Sequence, residues 1–216
     1  MKTESTAYSY ATYKAFLAIE SGEYKEKVQF VDLNRDRLNA LSLTDYARVM
    51  NAYAEALFEL GKFAAHIEVA DELIEMAIIH DVRYIGAKDL YEETLFQKAA
   101  SLYNLEKLEE AIYILRELLR INPNHDSAGP FLINCYMRER APTLQITRKL
   151  SIIIILLSAC IIAFELFVVR TRYPEMTSGV ELTRNMLFLF GTGILIVGEL
   201  IVRYVAVAEV HRFTKR

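Results

Sequence analysis

The chain has 216 residues, of which 53% are hydrophobic and 25% are charged, so it has room for one ordinary domain and an apolar appendage. Residues 1–140 carry a net charge of −7, whereas residues 141–216 carry +4. The acidic first part excludes nucleic acid as a partner, because neutralising phosphates requires clustered cations.

The N-terminal part of the chain, residues 1–140, is predicted to be helical and cytoplasmic. Its first residues, MKTESTAYSY, contain no apolar core of the signal-peptide type, so we expect this part to stay on the side where it is made. Apolar residues follow helical periodicity, and no convincing strand alternation is present. In LEKLEEAIYILRELLRINPN, residues 105–124, they recur at intervals of three and four, and Pro123 stops the helix.

This segment resembles the second helix of a tetratricopeptide repeat, which has a small Ala, a bulky residue four positions later and a Pro eight further on. Here those positions are Ala111, Leu115 and Pro123, and the matching first helix has Ala99 at its small position. The resemblance implies antiparallel helix pairs that stack on one another. Two upstream copies are carried by Ala15 and Gly22, and by Ala54, Leu57, Gly61, Ala70 and Leu73.

The chain also departs from the family pattern. The matching turn positions Gly22, Gly61 and Glu106 are 39 and 45 residues apart, against 34 in the family. His66 replaces the small Ala of the second repeat. We therefore expect lengthened helices or loops and an irregular stack.

The resemblance implies a concave face, formed by the first helix of each pair, that binds peptides or helices of partner proteins. The alternative is that the aromatic residues of this set pack between repeats. The lysine and asparagine set with which chaperone-linked members clamp a C-terminal carboxylate is missing. The implied groove positions are Thr12, Tyr13, Phe16, Arg48, Asn51, Glu55, Phe58, Phe96, Gln97 and Tyr103.

The second part, residues 141–216, is predicted to be a membrane domain with two spanning helices. Residues 150–169 are apolar at 17 of 20 positions, which is enough to cross a hydrocarbon core, and a second span covers about 186–207. Pro174 interrupts the helix between them, and Ser178 with Glu181 has the pattern of a capping box. The sequence thus predicts a helical hairpin.

Cations flank this hairpin unequally. The connection contains Arg170, Arg172 and Arg184, against eight cations at the outer ends. Because cationic flanks favour the cytoplasmic side, both termini are predicted to be cytoplasmic. The eight are Arg138, Arg140, Arg148, Lys149, Arg203, Arg212, Lys215 and Arg216.

Two acids lie within or beside the spans. Glu165 lies about 22 Å along the first span, where it can protonate, snorkel, or meet Arg170 or Arg184. Glu199 lies four residues before Arg203, so the two are predicted to pair on one helix face. One interpretation treats both acids as boundary anchors, and the other has them facing a protein partner or a polar path.

No enzyme chemistry is visible. The four His have no ligands at metal spacing, and neither a phosphate loop nor a nucleophile elbow is present, so we expect no enzyme, metal or cofactor. Cys135 and Cys160 are too few for a disulfide framework, which favours a reducing compartment.

The main hypothesis is a membrane-anchored adaptor or scaffold that binds a protein partner in the cytoplasm and holds it at the bilayer. Two alternatives remain open. One is an oligomeric, channel-like membrane effector built from homo-oligomers of the hairpin, and the other is an accessory subunit of a larger membrane complex. The absence of a targeting signal favours a bacterial inner membrane.

Overall fold

The structure is a computed structural model that describes residues 2–85 and 88–214. These residues are almost entirely helical, which confirms the all-α fold class. Contacts divide the chain into two compact units, one ending at Gly129 and the other beginning at Pro130. The division falls inside one helix, Ala128–Glu139.

The first unit is a series of antiparallel helices in which each helix packs against the next along the chain. They form three pairs: α1 with α2, α3 with α4, and α5 with α6. Their bounds are α1 Lys2–Leu17, α2 Tyr24–Leu38, α3 Leu43–Glu59, α4 Phe63–Ile79, α5 Leu90–Asn104 and α6 Leu108–Ile121.

The turns inside the second and third pairs have the same geometry. Gly61 and Glu106 are left-handed, with φ of 71° and 62°. In each turn the next residue, Lys62 or Lys107, donates its amide to the carbonyl five residues earlier at 2.9 Å. Both lysines then lead into a helix with nearly the same backbone angles. The two pairs are therefore one structural unit repeated after 45 residues.

A short β-ribbon accounts for the longer of the two spacings. Strand β1, Tyr84–Ile85, pairs antiparallel with strand β2, Lys88–Asp89, between α4 and α5. The Asp89 side chain then accepts from the amides of Tyr91 and Glu92 and so caps α5. The expectation of helix alone over this part of the chain is wrong at the ribbon, because two-residue strands leave no detectable alternation.

The core of the first unit joins neighbouring helices through apolar packing and the phenols of Tyr46, which is partly buried, and Tyr53, which is buried. The Tyr46 hydroxyl donates to Glu72 at 2.6 Å, and the Tyr53 hydroxyl donates to Asp32 at 2.7 Å. Burial, reinforced by these carboxylate contacts, raises the pKa of both phenols to about 12. Apolar residues at the centre of the core include Val31, Leu38, Ala47, Met50, Leu57 and Leu73.

The second unit is dominated by two long helices, α8 and α10, that pack against each other as a hairpin. Helix α10 begins at Thr177, so Ser178 lies inside the helix and does not cap it as predicted. The elements are α7 Ala128–Glu139, α8 Ala141–Phe164, a π-helical turn Glu165–Val169, α9 Arg170–Arg172, a 3-10 turn Pro174–Met176 and α10 Thr177–Thr214.

Both arms of the hairpin meet the requirements of a membrane span. Ala141–Arg172 and Thr177–Phe213 are long and apolar enough to cross a bilayer. Only 17% and 6% of their most apolar stretches are buried, unlike the core helix of a soluble domain. Large apolar side chains such as Leu156, Phe167 and Leu189 are instead exposed.

Candidate functional site

The predicted groove does not extend to the first helix. Tyr13 and Phe16 are only 6% and 3% exposed and belong to the hydrophobic core. Phe16 packs against Phe30 of α2, with ring centroids 5.9 Å apart. Thr12 is buried as well. These positions therefore stabilise the first pair and do not line an open surface; the contact of Phe16 lies within this pair and not between repeats.

The predicted positions on α3 fall into two groups. Arg48 and Glu55 are exposed and Asn51 is half-buried, and their spacing of three and four residues places them along one helix face. Phe58 shares this face by its spacing, but its ring is engaged within the first unit, with its centroid 5.5 Å from the rings of Phe63 and His66. The polar members of the set are thus available to a partner, whereas Phe58 joins α3 to α4.

The predicted positions on α5 are half-buried and engaged within the first unit. The Phe96 ring stacks on His125 at 5.4 Å, and the Gln97 amide donates to Glu93 at 3.1 Å. Tyr103 also makes contacts. A ligand for this face would therefore have to compete with existing contacts.

His66 is a buried polar residue whose environment the sequence did not reveal. Its Nδ1 lies 2.9 Å from the Ser101 hydroxyl oxygen on α5, and its Nε2 has no hydrogen bond to any described residue. Burial lowers the pKa of the imidazole, and the nearby Gln97 amide opposes that shift. The substitution of His for the repeat's small Ala is the only sequence signal of this site.

The hairpin closes through small residues and serines. Buried Ser151 of α8 donates to the carbonyl of Gly191 at 2.6 Å, and Ser158 donates to the carbonyl of Arg184 at 3.3 Å. A Cβ on Gly191 would lie 3.1 Å from the side chains of Ile154 and Ile155. The two helices are therefore in close contact at Gly191.

Glu165 lies at the connected end of the hairpin, where α8 becomes π-helical. Its side chain is fully buried, and Arg184 of α10 donates to one of its oxygens at 2.8 Å. Arg170 donates to the other oxygen at 3.2 Å and also to Glu181 at 3.2 Å. Of the fates considered for this acid, the structure shows pairing with both arginines.

Glu199 pairs across the hairpin instead of along its own helix. Its carboxylate accepts two hydrogen bonds from Arg148 of α8, at 3.1 and 2.5 Å. The predicted pair with Arg203 is wrong, because a facing guanidinium on the neighbouring helix reaches the carboxylate. Arg203 is exposed and makes no ion pair with any residue that the structure describes.

A further ion pair in the second unit was not predicted from the sequence. Arg140 donates to Glu209 at 2.8 Å and lies over the Tyr136 ring. One nitrogen of Arg140 and one oxygen of Glu209 are buried without a further hydrogen bond to described residues. The partners are 69 residues apart, so no local pattern could have shown them.

Within residues 2–85 and 88–214, no group of three or more potential metal ligands comes together. Comparison with protein-family models, curated proteins and solved structures finds no match to this chain. The function must therefore be inferred from the residues and contacts of the chain itself.

Proposed function

We propose that the chain is a membrane-anchored adaptor in which a tetratricopeptide-like domain binds a protein partner and the hairpin holds that partner at the bilayer. The repeated turn at Gly61 and Glu106 supports the tetratricopeptide-like assignment, since both turns share backbone angles and hydrogen bonds. The inserted ribbon between α4 and α5 explains one departure from the family spacing without disturbing the pairs.

The partner surface that we propose is the face of α3 that carries Arg48, Asn51 and Glu55. This face combines both charges with an amide, so it suits a partner segment of mixed polarity. Arg48 is only loosely engaged, at 3.9 Å from Asp45, and its side chain is half exposed. A partner carboxylate would therefore displace little existing structure.

The pairing of the acids in the hairpin favours an adaptor over a channel-like effector. Glu165 is fully buried between Arg170 and Arg184, and Glu199 accepts from Arg148. A polar conduction path needs ionisable groups that face a water-filled cavity. These carboxylates are instead used to join helices, which suits an anchor.

The distribution of unpaired cations supports cytoplasmic termini as part of the proposal. Arg170 and Arg184 at the connection are paired with acids. Arg172 is therefore the cation of the connection that makes no ion pair with described residues. Lys149, Arg203 and Arg212 near the terminal ends are exposed and make no ion pair with described residues. Lys215 and Arg216 lie outside the described residues. The bacterial inner membrane stays a prediction.

The test is purification of the full chain from its membrane with quantitative mass spectrometry of what accompanies it. The double variant R48E and E55K reverses both charges of the proposed surface and keeps the net charge. We expect it to lose a protein that copurifies at a fixed ratio. The matched control is K25E with E26K on α2, where both residues are exposed, and it should retain that protein.

A second candidate function, a homo-oligomeric effector, is favoured by one observation. Ala159 and Ala163 face outward from the hairpin, where small residues permit close approach of another helix. A native mass showing only copies of this chain would support the effector. Replacing Glu165 and Glu199 by Gln should then abolish membrane activity, whereas an adaptor should keep its partner.

A further inference from the structure

We infer that the hairpin of α8 and α10 fits a lipid bilayer whose hydrocarbon core is thinner than average. This inference rests on the membrane anchorage included in the proposed function and specifies which bilayer the anchor matches. It derives from the length of hairpin between its charged residues.

Both helices have a short charge-free stretch. In α8, 15 residues lie between Lys149 and Glu165, and in α10, 14 residues lie between Arg184 and Glu199. At a rise of 1.5 Å per residue, these stretches span about 22 and about 21 Å. A typical hydrocarbon core is about 30 Å thick, so the deficit is about 8 Å.

The two lengths agree because ion pairs join their ends. Arg148 and Glu199 tie the helices together at one boundary, and Glu165 and Arg184 do so at the other. Neither helix can slide along its neighbour to present a longer apolar stretch without separating one of these pairs. The thickness is therefore a property of the hairpin as a unit.

The charged side chains at the terminal end of the charge-free stretches are poor candidates for burial in the hydrocarbon core, because they are exposed. Lys149 is exposed and makes no ion pair with described residues, and the side chains of Arg148 and Glu199 are about half exposed. Exposed ionised groups are costly within hydrocarbon. This end of the apolar belt must therefore lie at the level of the headgroups.

The connected boundary is fixed in a similar way by the guanidinium of Arg170, which reaches back to within 3.2 Å of the buried Glu165 carboxylate while its side chain is 52% exposed. Exposed tyrosines lie beyond each boundary, Tyr173 at the connected end and Tyr204 at the terminal end. Such side chains are favoured in the interfacial layer. In a bilayer of ordinary thickness, the lipid around the hairpin would have to thin or the flanking charged side chains would have to extend to the interface, each at a cost in free energy.

The test uses the absence of Trp from the chain. The variant F190W places one fluorophore at an exposed position near the middle of the charge-free belt. The full-length variant is reconstituted into phosphatidylcholine vesicles, and quenching by brominated lipids of short, medium and long acyl chains gives their relative affinities. We expect short-chain lipid to be preferred about twofold or more over long-chain lipid.

The matched variant adds R148L, K149L and E199L, which extends the charge-free stretch of α10 to Arg203, about 27 Å. We expect its preference to shift towards longer lipid. R212L, an exposed change well beyond the belt, should leave the preference of F190W unchanged.

Three results would overturn the inference. Equal quenching by all chain lengths, or a preference for long chains, would refute the thin-bilayer match and leave the anchor intact. An unshifted preference in the triple leucine variant would show that these charges do not set the length. Absence of quenching in every bilayer would refute the membrane anchorage itself, and with it the proposed function.

Discussion

At the scale of single residues, we expect His66 to make the first unit sensitive to acid. Desolvation lowers the pKa of its imidazole in the folded chain, although the Gln97 amide opposes that shift, and its Nδ1 lies 2.9 Å from the Ser101 hydroxyl oxygen. A group whose folded pKa is depressed contributes stability above its unfolded pKa. That contribution is lost progressively as the pH falls below about 6.5, the ordinary pKa of histidine.

We predict that lowering the pH from about 7.5 to about 5.5 speeds amide hydrogen exchange in α4 and α5, after correction for the intrinsic rate. H66A should remove most of this acid sensitivity, whereas H80A, at an exposed position, should retain it. Equal acid sensitivity in the native chain and H66A would contradict the prediction.

The two left-handed turn residues give opposite predictions. G61A should lower the free energy of unfolding of the first unit by about 1 kcal/mol, because an L-residue is strained at φ of 71°. E106G should raise it by about 1 kcal/mol, because glycine relieves the same strain. Gly22 has open space around it and no left-handed φ, so G22A serves as the control in denaturant unfolding.

At the scale of elements, Gly191 sets how closely α8 and α10 approach. G191I should weaken the hairpin by about 2 kcal/mol, because even a Cβ there would lie 3.1 Å from two isoleucine side chains. Gly193 has nothing within 4 Å, so G193I is the matched control in SDS unfolding of the full chain. Similar losses in both variants would show that the packing around Gly191 is not special.

The ion pairs of Glu165 and Glu199 are expected to contribute unequally to the stability of the hairpin. E165Q leaves two arginines without their buried partner and should cost about 3 kcal/mol of hairpin stability. E199Q affects a pair whose side chains are both about half exposed, so it should cost about 1 kcal/mol or less. SDS unfolding of both variants measures this difference. A larger loss of stability in E199Q than in E165Q would show that the exposed pair contributes more than the buried one.

Local sequence patterns predicted the helices more accurately than the contacts between the helices. The spacing of three and four residues and the turn at Gly61 were enough for the helix pairs, since these signals lie within one helix or turn. Glu199 was assigned to Arg203 because sequence spacing reports only neighbours on the same helix. The burial of Tyr13 and the pairing of Arg140 with Glu209 depend on long-range packing, which no window along the chain contains.

At the scale of the whole molecule, we predict that the first unit lies on the cytoplasmic side of the membrane and the connection of the hairpin on the opposite side. With Cys135 and Cys160 replaced by Ala, single cysteines are placed at Glu175 in the connection and at Lys62 in the first unit, both exposed positions. A maleimide that cannot cross membranes should label E175C in intact cells, and K62C only after permeabilisation. Labelling of K62C in intact cells would place the first unit on the other side.

The continuity of α10 has a mechanical consequence. It runs without a break for 38 residues, about 57 Å, and 15 of these residues lie beyond Glu199. In the proposed membrane anchor, this extension, about 22 Å long, would act as a lever on the part of the helix that lies in the bilayer. A change of about 10° in tilt, as a helix makes when the bilayer changes thickness, would displace the far end by about 4 Å. The hairpin can thus convert membrane thickness into a movement at its terminal end.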